Sequence, residues 1–90
     1  MNKYQLVNYF DVLGNESEGW EVNNLCKEDI FIEVNDTDTD KDIIQKIIDE
    51  GFFIPAAIDK INVMNYGPDF YELEDKTNDY PYGRLEKMEE

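Results

Sequence analysis

Thr39–Phe53, TDKDIIQKIIDEGFF, is the stretch whose reading decides the fold. Ile43, Ile44, Ile47 and Ile48 recur at i, i+1, i+4 and i+5, which gathers them on one stripe of a 3.6-residue helix. Asp42, Gln45, Lys46 and Asp49 fall on the other side. Both ends carry stop signals. Thr39 is placed to cap the N-terminus, and Asp40 and Asp42 suit the positive end of the helix dipole. Gly51 is placed as the left-handed residue after the helix, which lets Phe52 fold back onto Ile47.

Working outward, the flanks read as strands. Tyr4–Leu13 (YQLVNYFDVL) puts Tyr4, Leu6, Phe10 and Val12 on one face and Val7 and Tyr9 on the other, so it is expected to be central or to form an interface. A polar loop with a glycine at each end, Gly14–Gly19, has the composition of a hairpin connection. Trp20–Cys26 and Ile30–Val34 follow as strands, separated by a turn at Lys27-Glu28-Asp29. Beyond the helix, Ile54-Pro55 blocks continuation, and Ile58–Tyr66 and Phe70–Asp75 read as a fourth and a fifth strand around a turn at 66–69. The expected fold is α+β: one mainly antiparallel sheet of about five strands with a single helix on one face, in the order β-β-β-α-β-β. Residues 1–80 form the domain. Residues 81–90 are a C-terminal tail, either docked or partly disordered, with Leu85 and Met88 as docking residues of a short last helix.

Ninety residues with 41% apolar and 13% aromatic content bound a single folded core, because acidic disordered chains are poor in aromatics. The charge is less ordinary. Twenty-two acidic residues stand against eight basic ones, a net −14 at pH 7, with one arginine, Arg84. Such a surface repels nucleic acid and anionic membranes and attracts basic surfaces, in a salt-dependent way. Solubility alone accounts for part of that charge, but −14 exceeds what it requires. No apolar run reaches the roughly 18 residues of a membrane span, and the first residues lack a signal-peptide core, so a cytoplasmic location is expected.

The chemistry is narrow. Without histidine there is no imidazole base, ligand or triad. Ser17 has no base at a recognisable spacing, and Cys26 is alone, with Lys27 as its one cationic neighbour. Asn35–Asp40 (NDTDTD) imitates the start of a calcium loop, but counting from Asp36 the sixth residue is Lys41 and the twelfth is Ile47, where glycine and glutamate are required. It reads instead as a solvated linker with helix caps. No cofactor motif is present, so neither a cofactor nor an enzymatic activity is expected.

What remains is a mixed acidic and aromatic surface. Glu21, Glu33, Glu72 and Glu74 fall on the less apolar faces of their strands, with Asp11 beside them, on the side expected to lie opposite the helix. Carboxylates spaced on a rigid sheet can imitate duplex phosphates. Tyr71 and Trp20 are the candidate aromatic anchors, Trp20 being equally suited to the core. The expected partner-binding residues are therefore Glu21, Glu33, Tyr71, Glu72 and Glu74, and the expected partner is a basic protein such as a nuclease or DNA-binding protein.

Residues 9–24, YFDVLGNESEGWEVNN, resemble a pattern in small acidic accessory proteins of phages and prophages of low-GC Gram-positive bacteria: an aromatic–Asp–Val strand, a Gly-Asn loop, then Gly-Trp/Tyr-Glu-Val-Asn. The Ile, Asn, Asp and Lys-rich composition is similar to that of AT-rich genomes. The resemblance implies a setting in which chains of this size act as inhibitors of host proteins, including acidic antagonists of restriction or CRISPR nucleases. The alternative is a small assembly module that homo-oligomerises through Tyr4–Leu13.

Overall fold

A computed structural model describes residues 2–67 and 69–88. Pro68 of the expected turn and Glu89 and Glu90 of the expected tail lie outside them. The chain runs β1 (Asn2–Asn15), β2 (Gly19–Val34), α1 (Asp40–Asp49), a 3-10 turn at Ile58–Lys60, β3 (Ile61–Asn65), β4 (Phe70–Asp75) and β5 (Pro81–Lys87). The five strands form one antiparallel sheet in the order β2-β1-β5-β4-β3, so the fold class is α+β with one α-helix, as the sequence predicts.

The helix forms where and how its residues dictate. Thr39 accepts from the Asp42 N–H at 3.2 Å, and Asp42 Oδ2 accepts from the Thr39 N–H at 3.0 Å, closing a reciprocal cap on the first turn. At the other end Gly51 takes φ +100°, and the Phe52 N–H reaches back to the Ile47 carbonyl at 3.3 Å. Ile43, Ile44 and Ile47 are buried, while Ile48 sits at the rim. Leading from edge strand β2 to the opposite edge strand β3, α1 packs against both and so lies across the sheet. Beneath it Tyr4, Leu6, Ile32, Val34, Ile54, Ile61, Leu73 and Leu85 complete the core.

Three expectations about the strands need correction. β2 does not turn at Lys27–Asp29. It runs on as a single edge strand, with Lys27 opposite Val7 and the Glu28 carbonyl accepting from Gln5 Nε2 at 3.0 Å. Its polar residues mark a solvated outer edge, and bulges in the ladder absorb the mismatch with β1. The expected strand 58–66 begins only at Ile61, after the 3-10 turn. Most consequentially, residues 81–87 are a strand instead of a tail, and β5 is inserted between β1 and β4 with Leu85 fully buried. The element order is thus β-β-α-β-β-β.

β5 escapes a reading by composition because two of its residues normally break strands. Pro81 is tolerated as the first strand residue. Gly83 is needed for proximity: a Cβ there would meet the Val7 carbonyl oxygen at 2.6 Å. A bulge beside it places Tyr82 on the core side, where its hydroxyl donates to Asp75 Oδ2 at 2.7 Å. β1, as the two-faced pattern predicts, is a central strand. Phe10 leaves the expected alignment with Tyr4 and Leu6 because the β1–β2 ladder slips at that point, and it is exposed.

Candidate functional site

The site begins with the alternation of β4. Tyr71 and Leu73 belong to the helix-covered core, so Glu72 and Glu74 project from the opposite face. Across the ladders Glu72 stands between Met64 and Arg84, and Glu74 between Asn62 and Pro81. Tyr9 Oη donates to Glu72 Oε2 at 2.9 Å, and Tyr66 Oη donates to Glu74 Oε2 at 2.7 Å. Burial and a hydrogen bond with Glu74 raise the Glu72 pKa above the usual carboxylate value, against the lowering effect of Tyr9. Burial and the bond to Glu72 push the Tyr9 phenol well up, while the bond to Glu74 leads the causes that push Tyr66 up to about 12.

Arg84 lies beside this pair, and its charge lowers the Glu72 pKa in part without forming an ion pair with it. Its Nη2 contacts Glu86 at 3.0 Å, and its guanidinium sits 5.9 Å from the Tyr9 ring centroid. Nε is buried with no hydrogen-bond partner among the described residues. Lys27 also approaches Glu86, at 3.8 Å. Both of these cations thus pair with one carboxylate, and among the described residues Glu72 and Glu74 are in no ion pair.

A cleft of about 350 Å³ adjoins them, lined by Glu16, Gly19, Trp20, Val22, Glu72, Glu74, Asn78, Asp79 and Pro81. Two turns build it. At the tip of the β1–β2 hairpin, Asn15 Oδ1 accepts from the Glu18 N–H at 2.8 Å, and Gly14 is at φ +107° with the Gly19 oxygen only 2.3 Å from where a Cβ would lie. In the β4–β5 turn, Asp75 accepts from the Thr77 hydroxyl and N–H, and these bonds with that from Tyr82 hold its carboxyl down at about 2. Trp20 Nε1 donates to the Asn78 carbonyl at 2.8 Å and its ring meets Tyr80 edge-on at 5.0 Å, which ties the two turns together. The indole is therefore immobilised in the cleft wall, half-buried instead of deep in the core.

The structure thus brings Glu72 and Glu74 together and separates the other sequence-predicted residues. Glu33 lies three strands away on β2, about 14 Å across the sheet, opposite Lys3. Glu21 is exposed on the hairpin arm opposite Leu13. Tyr71 packs on the helix side against Tyr4, ring centroids 5.3 Å apart, so it is a core-side aromatic. Asp11 accepts from both Asn23 and Asn24, which lowers its pKa. Sequence reasoning missed Tyr9, Asn78 and Pro81 as site residues. No local signal marks them: Tyr9 meets Glu72, and Asn78 meets Trp20, through pairings distant in the chain.

Other candidate chemistries find structural uses. Asp38 accepts from the Asn35 N–H at 2.9 Å and from Lys46 Nζ at 2.6 Å, so the NDTDTD segment serves the helix entrance. Among the described residues no group of three acidic or cysteine side chains is arranged to hold a metal ion, and no helix is long and apolar enough to cross a membrane. The exposed Cys26 thiol is raised by desolvation and by the charge of Glu28, which disfavours the thiolate. No protein-family model, no curated protein and no solved structure matches the chain.

Proposed function

We propose that this protein is a non-enzymatic acidic interaction module that binds a basic or nucleic-acid-handling host protein in the bacterial cytoplasm. The observation that carries this reading is the acidic face around Glu72 and Glu74 on a chain of net charge −14, where the ion pairs of the nearby Arg84 and Lys27 are both with Glu86. Basic surfaces are drawn to such a field, and wrong, acidic partners are repelled. The phage-like pattern in residues 9–24 supports an inhibitory setting, in which the carboxylates occupy the groove of a nuclease or DNA-binding protein as a mimic of DNA. Affinity capture with the tagged protein from a Gram-positive lysate, eluted by a salt gradient, tests the reading. One basic protein released at moderate salt is expected, and its binding should compete with duplex DNA. The double charge reversal Glu72→Lys/Glu74→Lys should abolish capture while the circular dichroism spectrum stays native. Undiminished capture by that variant rules out this face as the binding surface.

A second reading, self-association through β1, is favoured by one observation. Tyr9–Asn15 pair only with β2 among the described residues, and Phe10 and Leu13 on that segment are exposed. Light scattering decides it: an apolar dimer persists at high salt, where a charged interface weakens.

A further inference from the structure

We infer that the pocket between the loop after α1 and the entry to β5 is an aromatic cage for a quaternary ammonium head, such as choline or trimethylated lysine carries. The pocket encloses about 120 Å³, with Phe52 and Phe53 on one side, Tyr80 and Tyr82 on the other, and Pro55 and Asn8 completing the wall. The Tyr80 and Tyr82 rings stand edge to face, centroids 5.2 Å apart. Phe52 and Tyr82 pack against the helix-covered core. The Tyr82 hydroxyl is anchored on Asp75, and Tyr80 is held edge-on by Trp20. Three of the four rings are therefore in place before a ligand arrives. Phe53 differs: it is 79% exposed, more than any other large hydrophobic among the described residues, and stands at the rim where it can fold over an occupant.

The lining decides which head fits. No acidic or basic residue is part of it. The hydroxyls of Tyr9 and Tyr82 donate to Glu72 and Asp75, which leaves the Asn8 amide and the Tyr80 hydroxyl as its other polar side-chain groups. A primary ammonium or a guanidinium brings several N–H donors and would lose their hydration here without enough acceptors. A trimethylammonium head has no N–H, presents methyl groups to the walls and keeps its full charge. That charge favours it over a neutral head of the same shape. Ring faces are the negative side of the aromatic quadrupole, and Tyr82 donates to an Asp75 carboxyl held down at about 2, which enriches the ring further. The chain as a whole, at −14, draws cations in. The cations over rings are Lys3 on Phe31 and Arg84 on Tyr9, so among the described residues none occupies Phe52, Phe53, Tyr80 or Tyr82. The inference goes beyond the acidic-surface reading and uses none of the β4 carboxylates as a ligand.

The full chain would be titrated with choline, with dimethylbutanol as its uncharged carbon isostere, and with ethanolamine as its unmethylated counterpart. Proton NMR follows the ligand methyl signals and the aromatic signals of the protein. Saturable binding of choline is expected, about tenfold or more tighter than either analogue, with its methyl protons shifted upfield by the ring faces. A blocked tripeptide bearing trimethyl-lysine, beside its plain lysine form, separates the sources. Tighter binding of the trimethylated tripeptide than of choline assigns the cage to a protein side chain, and the reverse assigns it to a small molecule. Tyr80→Ala should weaken choline binding about tenfold, while Tyr80→Phe, which keeps the ring, should stay within about twofold. Phe53→Ala, at an exposed rim position that leaves the core intact, should weaken it about threefold. Phe10→Ala, an exposed ring outside the pocket, should leave it unchanged. Absence of saturable choline binding overturns the inference. Equal affinity for dimethylbutanol overturns it by making the pocket merely apolar, and equal affinity for ethanolamine by making the attraction merely electrostatic. Full choline affinity in both Tyr80→Ala and Phe53→Ala places binding elsewhere and overturns it as well.

Discussion

The two faces of the sheet are built on opposite principles. Under α1 the core is aliphatic apart from Tyr4, and among the described residues it buries no polar or charged residue. On the other side Val7 and Tyr9 are just as inaccessible, yet their neighbours are Arg84, Glu72 and Glu86, half-covered and joined by hydrogen bonds and ion pairs. Burying apolar area contributes about 25 cal/mol per Å², whereas partly exposed ion pairs contribute little net stability. Folding energy is therefore concentrated under the helix, and the opposite face is left free to present charge. The sharpest way to break that contrast is Leu85→Ala, which opens a cavity at a fully buried position on a central strand. It should cost about 3 kcal/mol, read as a lower urea midpoint. A loss below about 1 kcal/mol would mean that the helix-covered face is not the dominant source of stability.

β5 is where the two faces share a backbone. Gly83→Ala places a methyl 2.6 Å from the Val7 carbonyl oxygen, and neither strand can give way without opening the ladder between β1 and β5. The expected cost is about 2 kcal/mol, seen as a lower thermal midpoint. An unchanged midpoint would show that β1 and β5 approach less closely.

How much of this was legible in the chain follows from how far apart the deciding atoms are. α1 is specified locally: the Thr39–Asp42 cap, the isoleucine stripe and Gly51 lie within thirteen residues, so spacing alone locates it. The facing of Glu72 and Glu74 is likewise local, a consequence of period-two alternation. Their surroundings are not. Tyr9 reaches Glu72 across 63 residues and Trp20 reaches Asn78 across 58, and no periodicity carries such pairings. β5 was hidden because what makes it a strand is a neighbour's carbonyl beside Gly83, while its own composition signals a turn. Lys27-Glu28-Asp29 misleads in the same way, since an edge strand's polar residues resemble a turn until the pairing is known.

The smallest expected effect sharpens the comparison most, because it appears as opposite pH slopes from the two faces of β4. Glu72 has a folded pKa above the ordinary glutamate value of 4.5. The folded state therefore holds its proton longer than the unfolded state, and its contribution declines as pH rises from about 4.5 through the folded pKa. Asp75, on the Tyr82 side, is lowered from 3.8 to about 2, so its contribution is present above 3.8 and is lost as pH falls toward 2. Urea unfolding at closely spaced pH values should show Glu72→Gln flattening the decline above about pH 4.5, and Asp75→Asn flattening the acid limb below about pH 4. Each effect should be smaller than that of Leu85→Ala or Gly83→Ala, as expected of partly solvated groups. If Glu72→Gln left the upper slope intact, the carboxyl would be as well hydrated folded as unfolded. The face around Glu72 would then be open surface, with no desolvated carboxyl.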